Sequence, residues 1–140
     1  MNVGDSCLLK SADEQREFGA LLAGLLPRGA VLFLEGDLGS GKTTLAQGLI
    51  GALGFEGEVS SPTYALMQLY PAAAGPVLHV DAYRVRSPAE LWAMDLERLA
   101  EDSVLSVVEW GQLFYEDFPD AWRLELDYAL EGGRRVTRVK

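Results

Sequence analysis

The chain has 140 residues, 49% of them hydrophobic and 24% charged, which suits one folded domain of roughly 100–200 residues and excludes wholesale disorder. Twelve Lys and Arg against 21 Asp and Glu leave a formal charge of −9, a poor surface for gripping nucleic acid, whose affinity comes largely from clustered cations. No stretch approaches the ~18 apolar residues of a membrane span. Met1 to Asp5 lacks the basic start of a secretory signal, and the single Cys7 cannot form an internal disulfide, so a reduced, cytoplasmic setting is expected.

Ser11-Ala12-Asp13-Glu14 fits a capping box, with Ser11 as N-cap and Glu14 reaching back. Phe18, Leu21, Leu22, Leu25 and Leu26 follow at helical spacing, and Pro27-Arg28-Gly29 ends the helix. Val31 to Leu34 is a continuous apolar run, suited to a strand buried on both faces. A glycine-rich loop, Gly36 to Gly41, leads into a second helix marked by Leu45, Leu49 and Leu53 and stopped by Gly54. Gly54 to Tyr64 reads as a long loop. Ala65 to Tyr70 and Val77 to Tyr83 read as strands around a flexible turn, Pro71 to Pro76. Ser87-Pro88-Ala89-Glu90 is a second capping box, with proline at the favoured first helical position. Val104 to Val108 is another buried strand, and Trp122 to Leu130 with Arg135 to Val139 form a terminal antiparallel hairpin. The expected architecture is α/β, a mixed sheet with helices on its faces, as one domain over residues 1–140.

Gly36-Asp37-Leu38-Gly39-Ser40-Gly41-Lys42-Thr43 matches G-x-x-x-x-G-K-[ST] at every fixed position. Chance would produce that match in on the order of one chain in a few hundred at average residue frequencies. Its setting, a buried strand before and an amphipathic helix after, is the one the motif requires. Glycines let successive backbone N–H groups turn towards phosphate oxygens, and the helix beginning near Lys42 adds its positive end. Lys42 is then expected on the β- and γ-phosphates and the Thr43 hydroxyl on Mg²⁺. The next loop offers Ser61-Pro62-Thr63-Tyr64, where Thr63 is a candidate sensor of the γ-phosphate or its metal. Two apolar strands end in acids, Asp81 and Glu109, at the sheet edge where α/β ligands bind. Such an acid can hold the metal, hold it through water, or orient the attacking water. Arg84 and Arg86 are candidates for phosphate or partner contact, or plain exposed residues. His79, inside an apolar strand, reads as packing, Trp110 equally as core, and Cys7 as inert.

These segments resemble a known family. Glu35 to Thr44, then Ser61-Pro62-Thr63-Tyr64, then His79-Val80-Asp81-Ala82-Tyr83-Arg84, then Val108-Glu109-Trp110 follow the order and spacing of the TsaE (YjeE) ATPases. That family is the small P-loop component of bacterial tRNA threonylcarbamoyladenosine synthesis. The resemblance implies a P-loop NTPase fold with a parallel core, antiparallel edge strands and helices on both faces. It also implies ATP hydrolysis within a complex containing a TsaD-type transferase, which handles the tRNA, and a TsaB-type protein. Carried over by motif, Gly39, Ser40, Gly41, Lys42, Thr43 and Thr44 wrap the phosphates, and Thr43 and Glu109 hold Mg²⁺. Asp81 and Thr63 lie near the γ-phosphate, while Ser11 and Arg134 lie towards the base. Ala82 departs from the family's usual bulky apolar residue, a difference of packing.

Other nucleotide-binding classes fit less well. A Ras-like GTPase needs N-K-x-D, yet the only asparagine is Asn2, and an ABC-type signature such as L-S-G-G-Q is absent. A small-molecule kinase needs a lid and an acceptor site, for which 140 residues leave little room. A nucleotide-gated binding module overlaps the family reading. A kinase phosphorylates an added acceptor, whereas a gating ATPase releases phosphate slowly alone and faster with partners.

Overall fold

A computed structural model of the chain describes residues 1–62, 66–92 and 94–140. In chain order the elements are β1 (Ser6–Leu9), α1 (Ala12–Leu25), β2 (Ala30–Glu35), α2 (Lys42–Ala52), β3 (Met67–Ala72) and β4 (Gly75–Asp81). There follow α3 (Ala89–Trp92), α4 (Leu96–Glu101), β5 (Leu105–Glu109), a 3₁₀ helix (Gln112–Asp117), β6 (Trp122–Tyr128) and β7 (Arg134–Arg138). Among the described residues seven strands form one sheet in the order β1-β7-β6-β2-β5-β4-β3. The inner four, β6, β2, β5 and β4, are parallel, and β3, β7 and β1 are added antiparallel. The expected parallel core with antiparallel edges is what the chain forms.

Alternation along the inner strands explains why they read as continuous apolar runs. Leu32 and Leu34 of β2 and Leu105 and Val107 of β5 pack with Leu22 of α1 and Leu45 and Leu49 of α2. Phe33, between Leu32 and Leu34, and Val108, next after Val107, face the opposite layer with Leu91, Leu96 and Phe114. Helices therefore cover both faces, and neither strand face is left to water. On the first face α1 and α2 meet through glycine. A Cβ on Gly19 would run into the Leu45 carbonyl, and one on Gly48 into the Arg16 carbonyl. Glycine costs a helix up to ~1 kcal/mol against alanine. Full burial of one leucine contributes about 1.5–3 kcal/mol, so close approach wins.

Two local expectations are corrected. Ser11 caps α1 through its Oγ, which accepts from the Glu14 N–H at 3.1 Å, but the Glu14 carboxylate accepts from the Lys10 N–H rather than from that of Ser11. In the second capping box Glu90 does accept from the Ser87 N–H, as expected, and also from that of Arg86, and these bonds hold its carboxyl below the usual range. The stretch Pro71 to Pro76 is not a flexible turn. Pro71 pairs with Pro76 and Ala72 with Gly75, so the strands run on to a two-residue tip at Ala73 and Ala74. The sequence reading also contains no counterpart of β1, α4 or the 3₁₀ helix. β1 is only four residues long and acquires its strand character by pairing with β7, more than a hundred residues away. Among the described residues no helix is long and apolar enough to cross a membrane.

Candidate functional site

The parallel strands bring their carboxyl ends to one edge. β2 ends at Glu35, β4 at Asp81 and β5 at Glu109, and the register sets Asp81 beside Glu109. From Glu35 the chain turns through Gly36, Gly39 and Gly41, all with positive φ (147°, 78° and 103°), and starts α2 at Lys42. Only glycine occupies such a path without strain. At Gly41 a Cβ would also strike the side chain of Gln15, which is buried beneath the loop. At Gly36 it would strike the Leu126 carbonyl and Ser40. Above the loop lies a cleft of about 300 Å³ lined by Lys42, Thr43, Ser61, Asp81, Glu109 and Trp110, among others. The geometry thus joins four of the sequence candidates at one opening: Lys42, Thr43, Asp81 and Glu109. Gly39, Gly41 and Thr44 share the same wall.

Lys42 is 5% exposed, so the residue expected to reach phosphate is largely buried. Its Nζ donates to the Gly36 carbonyl at 2.5 Å and lies 3.7 Å from the centroid of the Trp110 ring. Burial pulls its pKa below the usual lysine value, while the carboxylates of Glu109, Asp81, Glu35 and Asp37 push it back up. Trp110 reaches this position with φ 58°, a left-handed conformation that is a genuine outlier for a bulky residue. The cost is on the order of 1–3 kcal/mol. It is offset by the Lys42 contact, by the Tyr83 ring at 4.8 Å, and by the Ala82 N–H donating to the Glu109 carbonyl at 2.9 Å. Trp110 is therefore a wall of the cleft, half-buried rather than core.

Asp81 is held at both oxygens. The Ser61 hydroxyl donates to Oδ2 at 2.8 Å and the Tyr83 N–H to Oδ1 at 3.0 Å. Ser61 is fixed in turn because buried Tyr70 anchors its neighbour, donating to the Ser60 carbonyl at 3.0 Å and accepting from the Ser60 N–H at 3.3 Å. Thr63, the candidate γ-phosphate sensor, lies outside the described residues. Glu109 is 3% exposed, and its Oε2 lies 2.6 Å from Nε2 of fully buried His79. Sequence reasoning gave His79 a packing role and missed this partner. The signal was parity: residues 77, 79 and 81 share one face of β4 and 105, 107 and 109 share the same face of β5, so adjacency of the two strands brings His79 to Glu109.

A second missed group stands at the start of the loop. Burial raises the pKa of Glu35 above the usual carboxylate value, against the lowering effect of a hydrogen bond from Tyr115 and of the Lys42 and Arg123 charges. Arg123 lies over the Tyr115 ring at 3.8 Å. On the outer side of the loop, the Arg134 guanidinium donates to the Gly39 carbonyl at 3.2 Å and stacks on the Tyr128 ring at 4.0 Å. Arg134 thus braces the loop, while Ser11 is occupied in capping α1. Arg84 and Arg86 are exposed beyond the strand end.

The sequence pattern of the family described as Threonylcarbamoyl adenosine biosynthesis protein TsaE matches residues 9–136. A Streptomyces coelicolor protein named tRNA threonylcarbamoyladenosine biosynthesis protein TsaE is 43% identical over 119 residues, which cover 82% of this chain and 80% of the relative. A Treponema pallidum protein of the same name is 29% identical over 132 residues, covering 94% and 97%. The crystal structure of Bacillus subtilis YdiB matches with a TM-score of 0.72 at 25% identity, covering 99% of this chain and 87% of that one.

Proposed function

Because the chain belongs to the TsaE family of threonylcarbamoyl adenosine biosynthesis proteins, we propose that it is a Mg²⁺-dependent ATPase whose nucleotide cycle supports the transferase reaction of tRNA threonylcarbamoyladenosine synthesis. The observation that carries this reading is the convergence of Lys42, Thr43, Asp81 and Glu109 on one cleft above a glycine-turned loop and the start of α2. ATP is the substrate. The backbone N–H groups from Gly39 to Thr44 surround its phosphates, aided by the positive end of α2. Lys42 exchanges the Gly36 carbonyl for phosphate oxygens.

The donor set fits Mg²⁺. A hydroxyl and buried carboxylate oxygens are hard ligands, and no cluster of three or more His, Cys, Asp or Glu ligands is present among the described residues. Mg²⁺ characteristically retains water and takes phosphate oxygens beside one or two protein donors. Thr43 and Glu109 would hold it. When bound, Mg²⁺ neutralises charge on the transferring phosphate. Asp81, fixed by Ser61 and by the Tyr83 N–H, is placed to orient the attacking water. With a formal charge of −9, the chain reaches tRNA through its partners, a TsaD-type transferase and a TsaB-type protein.

Two measurements test the reading. Phosphate release should be slow for the chain alone and faster with both partner proteins and tRNA; transfer of phosphate to an added small acceptor would instead make it a kinase. Glu109→Gln should weaken Mg·ATP binding far more than metal-free ATP binding, whereas Asp81→Ala should chiefly lower turnover. Calorimetric titrations with Mg²⁺ and with a chelator that give the opposite pattern reverse the two roles.

A further inference from the structure

His79 is a poor choice for packing alone. It sits in β4 between Leu78 and Val80, it is fully buried, and its Nδ1 has no hydrogen-bond partner among the described residues. Leucine or valine would fill that volume without burying a polar atom unpaired. The one hydrogen bond that the imidazole makes is through Nε2, to Oε2 of Glu109 at 2.6 Å. A carboxylate that holds a metal is ionised and can only accept, so in that role its partner Nε2 carries the proton and donates. The imidazole is fully enclosed by the protein. Val107 lies beside it in register on β5, and the Tyr70 ring stands 6.3 Å away. Both oxygens of Asp81 are tied, one by the Ser61 hydroxyl and one by the Tyr83 N–H, whereas the side-chain hydrogen bond of Glu109 is the one to His79.

We infer that His79 is a positioning residue: its Nε2–H fixes one oxygen of Glu109 so that the other, Oε1, is presented to a divalent cation in the cleft. This rests on the reading of Glu109 as a metal-holding group, and it adds the device that aims the group. Freed of His79, a buried glutamate carboxylate, oriented through three rotatable bonds, samples orientations that a cation cannot use. Partners that orient a ligand in this way typically change metal affinity by about 10–100-fold when removed.

The test is calorimetric titration with ADP, in Mg²⁺ and in chelator, so that no turnover enters. The quantity read is the gain in ADP affinity that Mg²⁺ confers. His79→Leu should reduce that gain by about tenfold and leave metal-free ADP affinity unchanged. His79→Gln, whose amide can place a donor near the position of Nε2, should keep most of the gain. In a Glu109→Gln background, His79→Leu should cause no further loss. A full gain in His79→Leu overturns the proposal, as does an equal fall in affinity with and without metal, which marks a merely structural residue. If His79→Leu does not fold, His79→Asn replaces it, since its amide stands near Nδ1 instead. A gain lost in Asn and kept in Gln supports the proposal, and equal gains overturn it. A wild-type protein whose ADP affinity ignores Mg²⁺ overturns the reading of Glu109 and this proposal with it, whereas a gain retained in His79→Leu overturns this proposal alone.

Discussion

Lys42 carries a conflict between folding and function. Its ammonium is buried beneath Trp110, and burial lowers its pKa more than four nearby carboxylates raise it. A neutral side chain of similar length is thus better tolerated by the fold. Lys42→Met should melt no lower than the wild type and yet lose hydrolysis, which thermal melts and phosphate-release assays on the same preparation would check. Glu35 shows the same conflict with a pH signature. Burial raises its pKa above 4.5, so the folded state binds its proton more tightly than the unfolded state does. Its contribution to stability is then fullest below pH 4.5 and declines as pH rises through the folded-state value. Glu35→Gln, which keeps an acceptor for Tyr115, should raise the melting temperature near neutral pH, with the difference closing towards pH 4.5. At this scale the sequence reveals residues whose roles are set by fixed local spacing, as in Gly36 to Thr43. It hides His79 and Glu35, because their partners Glu109 and Tyr115 become neighbours only when separate segments pack.

Elements place those residues, and α1 against α2 is the tightest fit. The same substitution should act with opposite signs at two positions of α2, one against α1 and one near the open end of the helix. Gly48→Ala puts a methyl into the Arg16 backbone, an overpacking cost of about 1–3 kcal/mol that exceeds the propensity gain. Gly51→Ala meets open space and should stabilise by up to ~1 kcal/mol. Urea unfolding midpoints that fall for the first and rise for the second are the expected result. Continuous apolar runs made β2 and β5 readable, since a strand covered on both faces needs no alternation. The Pro71 to Pro76 stretch misleads because proline and small residues mark turns in general, whereas here Pro71 is on the edge strand β3, where a missing N–H costs the ladder nothing. β1, at four residues, has no local signature at all.

At the scale of the whole molecule, charge sets what the chain can meet unaided. With a net −9 and lysine only at 10, 42 and 140, of which Lys42 is buried, the protein alone should bind tRNA weakly even in low salt. An anisotropy titration giving sub-micromolar affinity near ~150 mM salt would contradict this. The sheet order has a consequence in time. Among the described strands β1 is synthesised before the other six, yet its neighbour in the sheet is β7, which follows them all, with the Gly4 N–H donating to the Arg138 carbonyl at 2.7 Å. Pairing over so long a separation is slow, and an early strand must wait with its edge open. The same late strand starts at Arg134, the brace on Gly39. A nascent chain with β7 still inside the ribosome already has every residue of the phosphate loop and lacks the brace, so the loop can be fully supported only once translation has passed Arg134.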